Sequence, residues 1–181
     1  MDWVERESIK AEFGHWLSTD WTWDWFCSFT FPEEIGTWKA DNMWKKYIKE
    51  LCKWTGRNIQ WVRCTELQQR GVIHYHALFL NVGTSKDEAL EQMKRFSYMH
   101  LWEEMGGGYS RIYPYLKLAS YYLSKYVVKE IGEIKFSDKH QDYAVWTERY
   151  QRYTDNQLSD ITFVSGMACS LDSHVVNFHV K

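Results

Sequence analysis

The sequence predicts an α+β domain, with helices packed on a largely antiparallel sheet. Three observations carry that expectation. Two strand-like runs, 59–67 and 72–80, are joined by the short bend Gln68-Gln69-Arg70-Gly71, where Gly71 suits a turn that needs positive φ. Apolar residues recur at helical spacing over 38–54, through Met43, Trp44, Tyr47, Ile48, Leu51 and Cys52. There is no repeat, no low-complexity tract, and only two prolines, so a chain of 181 residues is expected to fold around one core.

Each further element has its own local reason. Residues 3–19 fit an N-terminal helix ending at Ser18-Thr19-Asp20. Residues 23–31 form an aromatic-rich strand stopped by Pro32. The helix over 38–54 has Thr37 as its expected N-cap and Gly56 beyond its end. A polar break at 83–87 leads to a helix over 87–97, Gly106-Gly107-Gly108 reads as a flexible loop, and Tyr109–Tyr113 as a strand. A helix is expected over 116–130, then a helix over 143–151 and strands over 160–167 and 174–180.

Composition narrows the function classes. The net charge of −2 argues against a protein that coats nucleic acid non-specifically. A local basic face remains possible, because 111–129 carries Arg111, Lys117, Lys125 and Lys129 and no acid. Eleven Trp, twelve Tyr and nine Phe imply either a bulky core or rings that stack on unpaired bases. Cys27, Cys52, Cys64 and Cys169 contain no Cys-x-x-Cys pair, and read as reduced, mostly buried thiols. No signal-peptide pattern and no long apolar run is present, so the expectation is a cytoplasmic protein, or a nuclear one in a eukaryotic host, without membrane contact.

The chemistry concentrates in two stretches. Alternate side chains of a strand share a face, so His74 and His76 point the same way. With the bend at 69–71, Glu66 stands opposite His74, and two imidazoles with one carboxylate can hold a divalent ion. A one-residue slip would turn Glu66 away, and His74 and His76 could equally be ordinary polar residues of a half-buried strand. In the helix over 116–130, Tyr122 and Tyr126 lie four apart on one face, flanked by Lys125 and Lys129. A phenol is a poor nucleophile at neutral pH, and a neighbouring cation favours the phenolate. The combination suggests attack by tyrosine on a phosphodiester.

These residues resemble the motifs of the HUH endonucleases, in particular the Rep-type initiators of rolling-circle replication. Phe26-Cys27-Ser28-Phe29-Thr30-Phe31 looks like the first motif, an aromatic-Thr strand. His74-Tyr75-His76 is similar to the second, the His-hydrophobic-His metal motif. Tyr122-Leu123-Ser124-Lys125-Tyr126 looks like the third, which supplies the nucleophile. The resemblance covers about 26–129. It implies an antiparallel, about five-stranded sheet flanked by helices, with a motif-bearing core over 21–130, an N-terminal helix over 1–20 and a C-terminal extension over 131–181.

It also implies a site. Glu66, His74 and His76 would hold Mg²⁺ or Mn²⁺, Tyr122 would be the first nucleophile and Tyr126 a possible second, and Lys125 would assist. Lys129, Lys117 and Arg111 would contact DNA. The substrate implied is single-stranded or hairpin origin DNA, nicked through a 5′-phosphotyrosine, with a host helicase and polymerase as possible partners. No Walker A pattern is present, so the chain is either a one-domain initiator or a fragment. Two other readings stand beside this one: a single-tyrosine transposase of the same superfamily, and a non-catalytic DNA-binding module with the same fold.

Overall fold

Alternation along the strands divides the sheet into two unlike faces. In β1 (Trp25–Thr30), Trp25, Cys27 and Phe29 are buried while Phe26, Ser28 and Thr30 are half-buried. β1 pairs antiparallel with β3 (Ile73–Leu80), which pairs antiparallel with β2 (Gln60–Leu67). The computed structural model describes residues 3–68, 71–128 and 133–137, and the backbone of 161–167 and 173–180. Outside the central hairpin lie β4 (Ser110–Pro114) against β1 and β5 (Glu133–Ser137) against β2. These five strands form the antiparallel sheet that the sequence predicts. A hairpin of β6 (Ile161–Met167) and β7 (Ser173–Val180) extends it, giving the order β4-β1-β3-β2-β5-β7-β6.

One face is covered by α2 (Thr37–Thr55) and α3 (Glu88–Glu104). Their Trp44, Tyr47, Tyr98 and Trp102 interlock with Trp25, Phe29, Phe31, Tyr75 and Phe79 of the sheet. The rings meet mostly edge-on or tilted, as Trp44 does with Trp61 (5.2 Å, 80°) and Tyr75 (5.7 Å, 76°). Much of the unusual aromatic content is therefore core. The opposite face packs α1 (Trp3–Thr19) and α4 (Leu118–Ser124) over Val62, Cys64, Leu78, Ile134 and Phe136. Gly14 of α1 lies directly under the Tyr121 ring of α4, where a Cβ would reach 2.5 Å from Cδ1. That approach sets how closely α4 sits on the sheet.

Several boundaries differ from expectation. The N-cap of α2 is Gly36 rather than Thr37, and no side chain caps it; Gly56 ends the helix at φ 63°, as expected. α3 begins after Asp87, whose carboxylate accepts from Ala89 N and Leu90 N, but it runs to Glu104 instead of 97. Tyr98, Leu101 and Trp102 keep its apolar face in the core past the predicted end. The triple glycine is anchored: Gly107 N donates to Trp102 O and Gly108 N to Thr30 O, both at 2.9 Å. α4 spans Leu118–Ser124, not 116–130, and its last turn tightens through Tyr126 N to Leu123 O and Val127 N to Ser124 O. β5 falls in a stretch left unassigned. Cys27 and Cys64 are buried free thiols and Cys52 is half-buried. Cys169 and the helix expected over 143–151 lie outside the described residues.

Arg63 is buried on the α2 face, its guanidinium carbon 3.9 Å from the Tyr75 ring centroid. Asp41 of α2 receives Arg63 at 2.6 Å and Lys135 of β5 at 2.5 Å, tying helix, central strand and outer strand together. Burial opposes ionisation of Asp41, but Arg63 and Lys135 outweigh it and hold its carboxyl below the ordinary value. Asp41→Ala should cost about 3–5 kcal/mol in urea unfolding, because it leaves two buried cations without their partner. The share of stability due to this carboxylate should be complete above its unfolded pKa of about 3.9 and be lost as pH falls through the lower folded value. Denaturant melts of Asp41→Asn beside the parent across that acid range check the sign.

Candidate active site

The site lies on the α1–α4 face, where the hairpin register decides which side chains meet. Glu66 is the cross-strand partner of His74, and His76 stands one pleat further along the same face. Gly71, at φ 76°, closes the bend as expected, with Gly71 N donating to Gln68 O at 2.8 Å. The His74 and His76 rings are 4.4 Å apart between centroids. His76 Nε2 is 3.4 Å from Glu66 Oε2, so the structure brings together the three side chains that the sequence grouped.

α4 and the turn after it bring in the tyrosines. Tyr122 Oη lies 3.4 Å from His76 Nε2, and the residue is 40% exposed. Tyr126 is fully buried and donates its hydroxyl to Glu66 Oε2 at 2.7 Å. The two phenols thus share a face but not an environment. Lys125 Nζ sits 3.7 Å from the Tyr122 ring centroid and 4.7 Å from that of Tyr126. Phe26 of β1 stacks parallel to His76, with centroids 6.1 Å apart and planes 3° from parallel.

Electrostatics follow from burial. Burial pushes His76 down to about 3, with His74 acting in the same direction and Glu66 opposing. Burial also lowers His74, again against the pull of Glu66. Both imidazoles are therefore neutral at physiological pH, the form that binds metals. Tyr126 is shifted strongly upward by burial and by its bonds to Glu66 and Tyr122, so it remains a neutral donor.

The donor chemistry fits a divalent cation: one carboxylate, two neutral imidazoles, and a buried His76 Nδ1 that has no hydrogen-bond partner. The present arrangement is not a closed cage. His74 is engaged at both ring nitrogens, by Ser28 Oγ at 2.9 Å and by Gln68 Nε2 at 3.2 Å. Among the described residues, no three His, Cys, Asp or Glu side chains are gathered as a ligand set.

Of the expected DNA contacts, Arg111 and Lys117 are exposed. Arg111 is the cross-strand partner of Ser28, which places it on the site face, and its guanidinium carbon lies 3.8 Å from the Tyr109 ring centroid. Lys117 precedes the first residue of α4. Lys129 lies outside the described residues. Sequence reasoning gave no role to Ser28, Gln68 or Phe26. Alternation in β1 marks Phe26, Ser28 and Thr30 as one face, but only the pairing of β1 with β3 puts them beside the histidines.

Loss of the Tyr126 hydroxyl should free Glu66 and cost about 1.5–3 kcal/mol, typical of a bond to a charged group. Urea unfolding of Tyr126→Phe measures that loss. A variant as stable as the parent would mean that the bond contributes nothing to the fold.

Searches of curated proteins and of solved structures each found no match. The sequence model of the replication-associated protein family of the ORF2 type matches residues 24–131, more than half of the chain and the whole of β1 through α4. With its motif-bearing strands and helix inside that span, the chain belongs to this replication-associated protein family.

Proposed function

We propose that this protein is an HUH-type replication initiator that nicks single-stranded or hairpin origin DNA and rejoins it through a 5′-phosphotyrosine. The observation that carries the reading is the Tyr122 phenol: half exposed, and 3.4 Å from His76 on the face that also holds Glu66 and His74. Membership of a replication-associated family supports it independently.

In this reading Tyr122 Oη attacks the phosphorus, the Oη–P bond forms and the P–O3′ bond breaks. The phenolic proton passes to solvent, and O3′ takes a proton to leave as a 3′-OH that can prime a host polymerase. Attack by that 3′-OH reverses the step and joins ends. Glu66, His74 and His76 would hold Mg²⁺ or Mn²⁺, exchanging a Ser28 or Gln68 contact on His74. A bound ion would supply polarisation of the phosphate and neutralisation of charge on its oxygens. Phe26 and Glu66 fix the His76 ring between them, and Lys125 places positive charge where the phenol loses its proton. Tyr126 serves as the donor that orients Glu66 rather than as a second nucleophile, because it is buried and committed to that carboxylate.

One observation favours a second reading. The ring nitrogens of His74 are both satisfied by neighbouring side chains, as they would be in a DNA-binding module that performs no chemistry. The two readings separate on incubation with a single-stranded oligonucleotide library and Mn²⁺. The parent should form a covalent DNA adduct, Tyr122→Phe should form none, and Tyr126→Phe should retain adduct formation at a reduced rate. Binding without any adduct from the parent would favour the module. His76→Ala should reduce nicking by a far larger factor than it reduces stability; parallel melting and nicking assays that fall together would point to a structural histidine.

A further inference from the structure

A groove of about 530 Å³ opens between β4 and the start of α4, immediately beside the candidate site. Phe26 and Tyr113 are cross-strand partners on the site face, and both line it. Leu116 and Leu118 form the outer wall and Tyr122 the inner one. Leu116 is 70% exposed, Leu118 77% and Tyr113 49%. A contiguous apolar surface of this kind on a polar protein marks a place where something binds, and the volume suits a small planar group.

Two features identify the occupant. Charge complementarity is the first: from 105 to 129 the chain has no acid and four cations, Arg111, Lys117, Lys125 and Lys129, although the whole protein is net negative. The second is the strip Tyr109-Arg111-Tyr113 along one face of the outer strand, with Arg111 stacked over Tyr109. Aromatic surface interleaved with cations is the pattern that takes stacked bases and their phosphates. The wall shared with Tyr122 means that a strand whose phosphate reaches that phenol passes its neighbouring nucleotide across the groove.

We propose that this groove is a binding site for an unpaired nucleobase of single-stranded DNA, held by stacking and without regard to which base it is. The proposal rests on the single-stranded DNA reading above and adds a subsite to it. Indifference to base identity follows from the lining, which is almost wholly apolar. Discrimination between bases needs hydrogen bonds to their edges, whereas every base offers a π-face. Sequence preference must then come from other positions along the strand.

The test uses fluorescence anisotropy at low salt, with labelled oligo-dT, oligo-dA, oligo-dC and an abasic deoxyribose-phosphate chain of the same length and charge. The parent should bind each base-bearing strand roughly tenfold more tightly than the abasic chain, with little difference among the three. A Tyr113→Ala/Leu116→Ala double variant, which alters only exposed positions, should bind all four alike. The proposal is overturned if the parent does not distinguish oligo-dT from the abasic chain, or if the double variant keeps the parent's ratio. It is also overturned if sedimentation shows a parent dimer that the double variant makes monomeric while DNA binding is unchanged, since the groove would then cover a second copy. The same samples incubated with Mn²⁺ report nicking separately: an intact binding ratio with no adduct would remove the Tyr122 chemistry and leave the groove standing.

Discussion

The register of the β2–β3 hairpin is the constraint on which the site depends. Side chains of a strand alternate, so a slip by one residue would send Glu66 into the aromatic core and bring Thr65 beside His74. The bend fixes the register through Gly71, whose φ of 76° is a conformation that residues with a Cβ enter only with strain, and through Gln68 N donating to Val72 O at 3.0 Å. Side chains from two other elements then bind the hairpin at the site itself. Ser28 of β1 meets His74, and Tyr126, from the turn after α4, meets Glu66. The site is held by long-range contacts from both directions of the sheet.

The two faces divide the work. The α2–α3 face is closed and filled with interlocked rings, with the Arg63–Asp41–Lys135 cluster at its rim tying β2 and β5 to α2. Dense packing of this sort resists deformation and gives the hairpin a rigid backing. The opposite face is partly open, because α4 is short and ends in a tightened turn. That turn separates the two phenols, leaving Tyr122 at the surface while Tyr126 goes inside. A regular helix through 130 would have kept them on one exposed stripe.

The sequence carried much of this because its signals were local. The strand boundaries of the central hairpin, the positive φ at Gly71 and the facing of Glu66 with His74 all follow from alternation and bend length. Signals that depend on tertiary partners were not legible. α3 outruns its expected end because Trp102 reaches Thr30 O across the sheet, a contact 72 positions distant in the chain. The triple glycine reads as a free loop and is instead bonded to α3 and to the end of β1. β5 is too short and mixed to declare itself and is defined by pairing with β2. Within the site, the ligand candidates could be read from spacing. The unequal burial of Tyr122 and Tyr126 could not, because it depends on where α4 stops.

The account's central claim is that one phenol, Tyr122, faces the phosphate. Trypsin separates the two tyrosines, since cleavage after Lys117, Lys125 and Lys129 yields Leu118–Lys125, which carries Tyr121 and Tyr122, and a short peptide that begins at Tyr126. Mass spectrometry of a digested Mn²⁺-dependent adduct should find the 5′-phosphonucleotide on the first peptide, with fragmentation placing it on Tyr122. A label on the peptide that begins at Tyr126, or on Tyr121, would contradict the account.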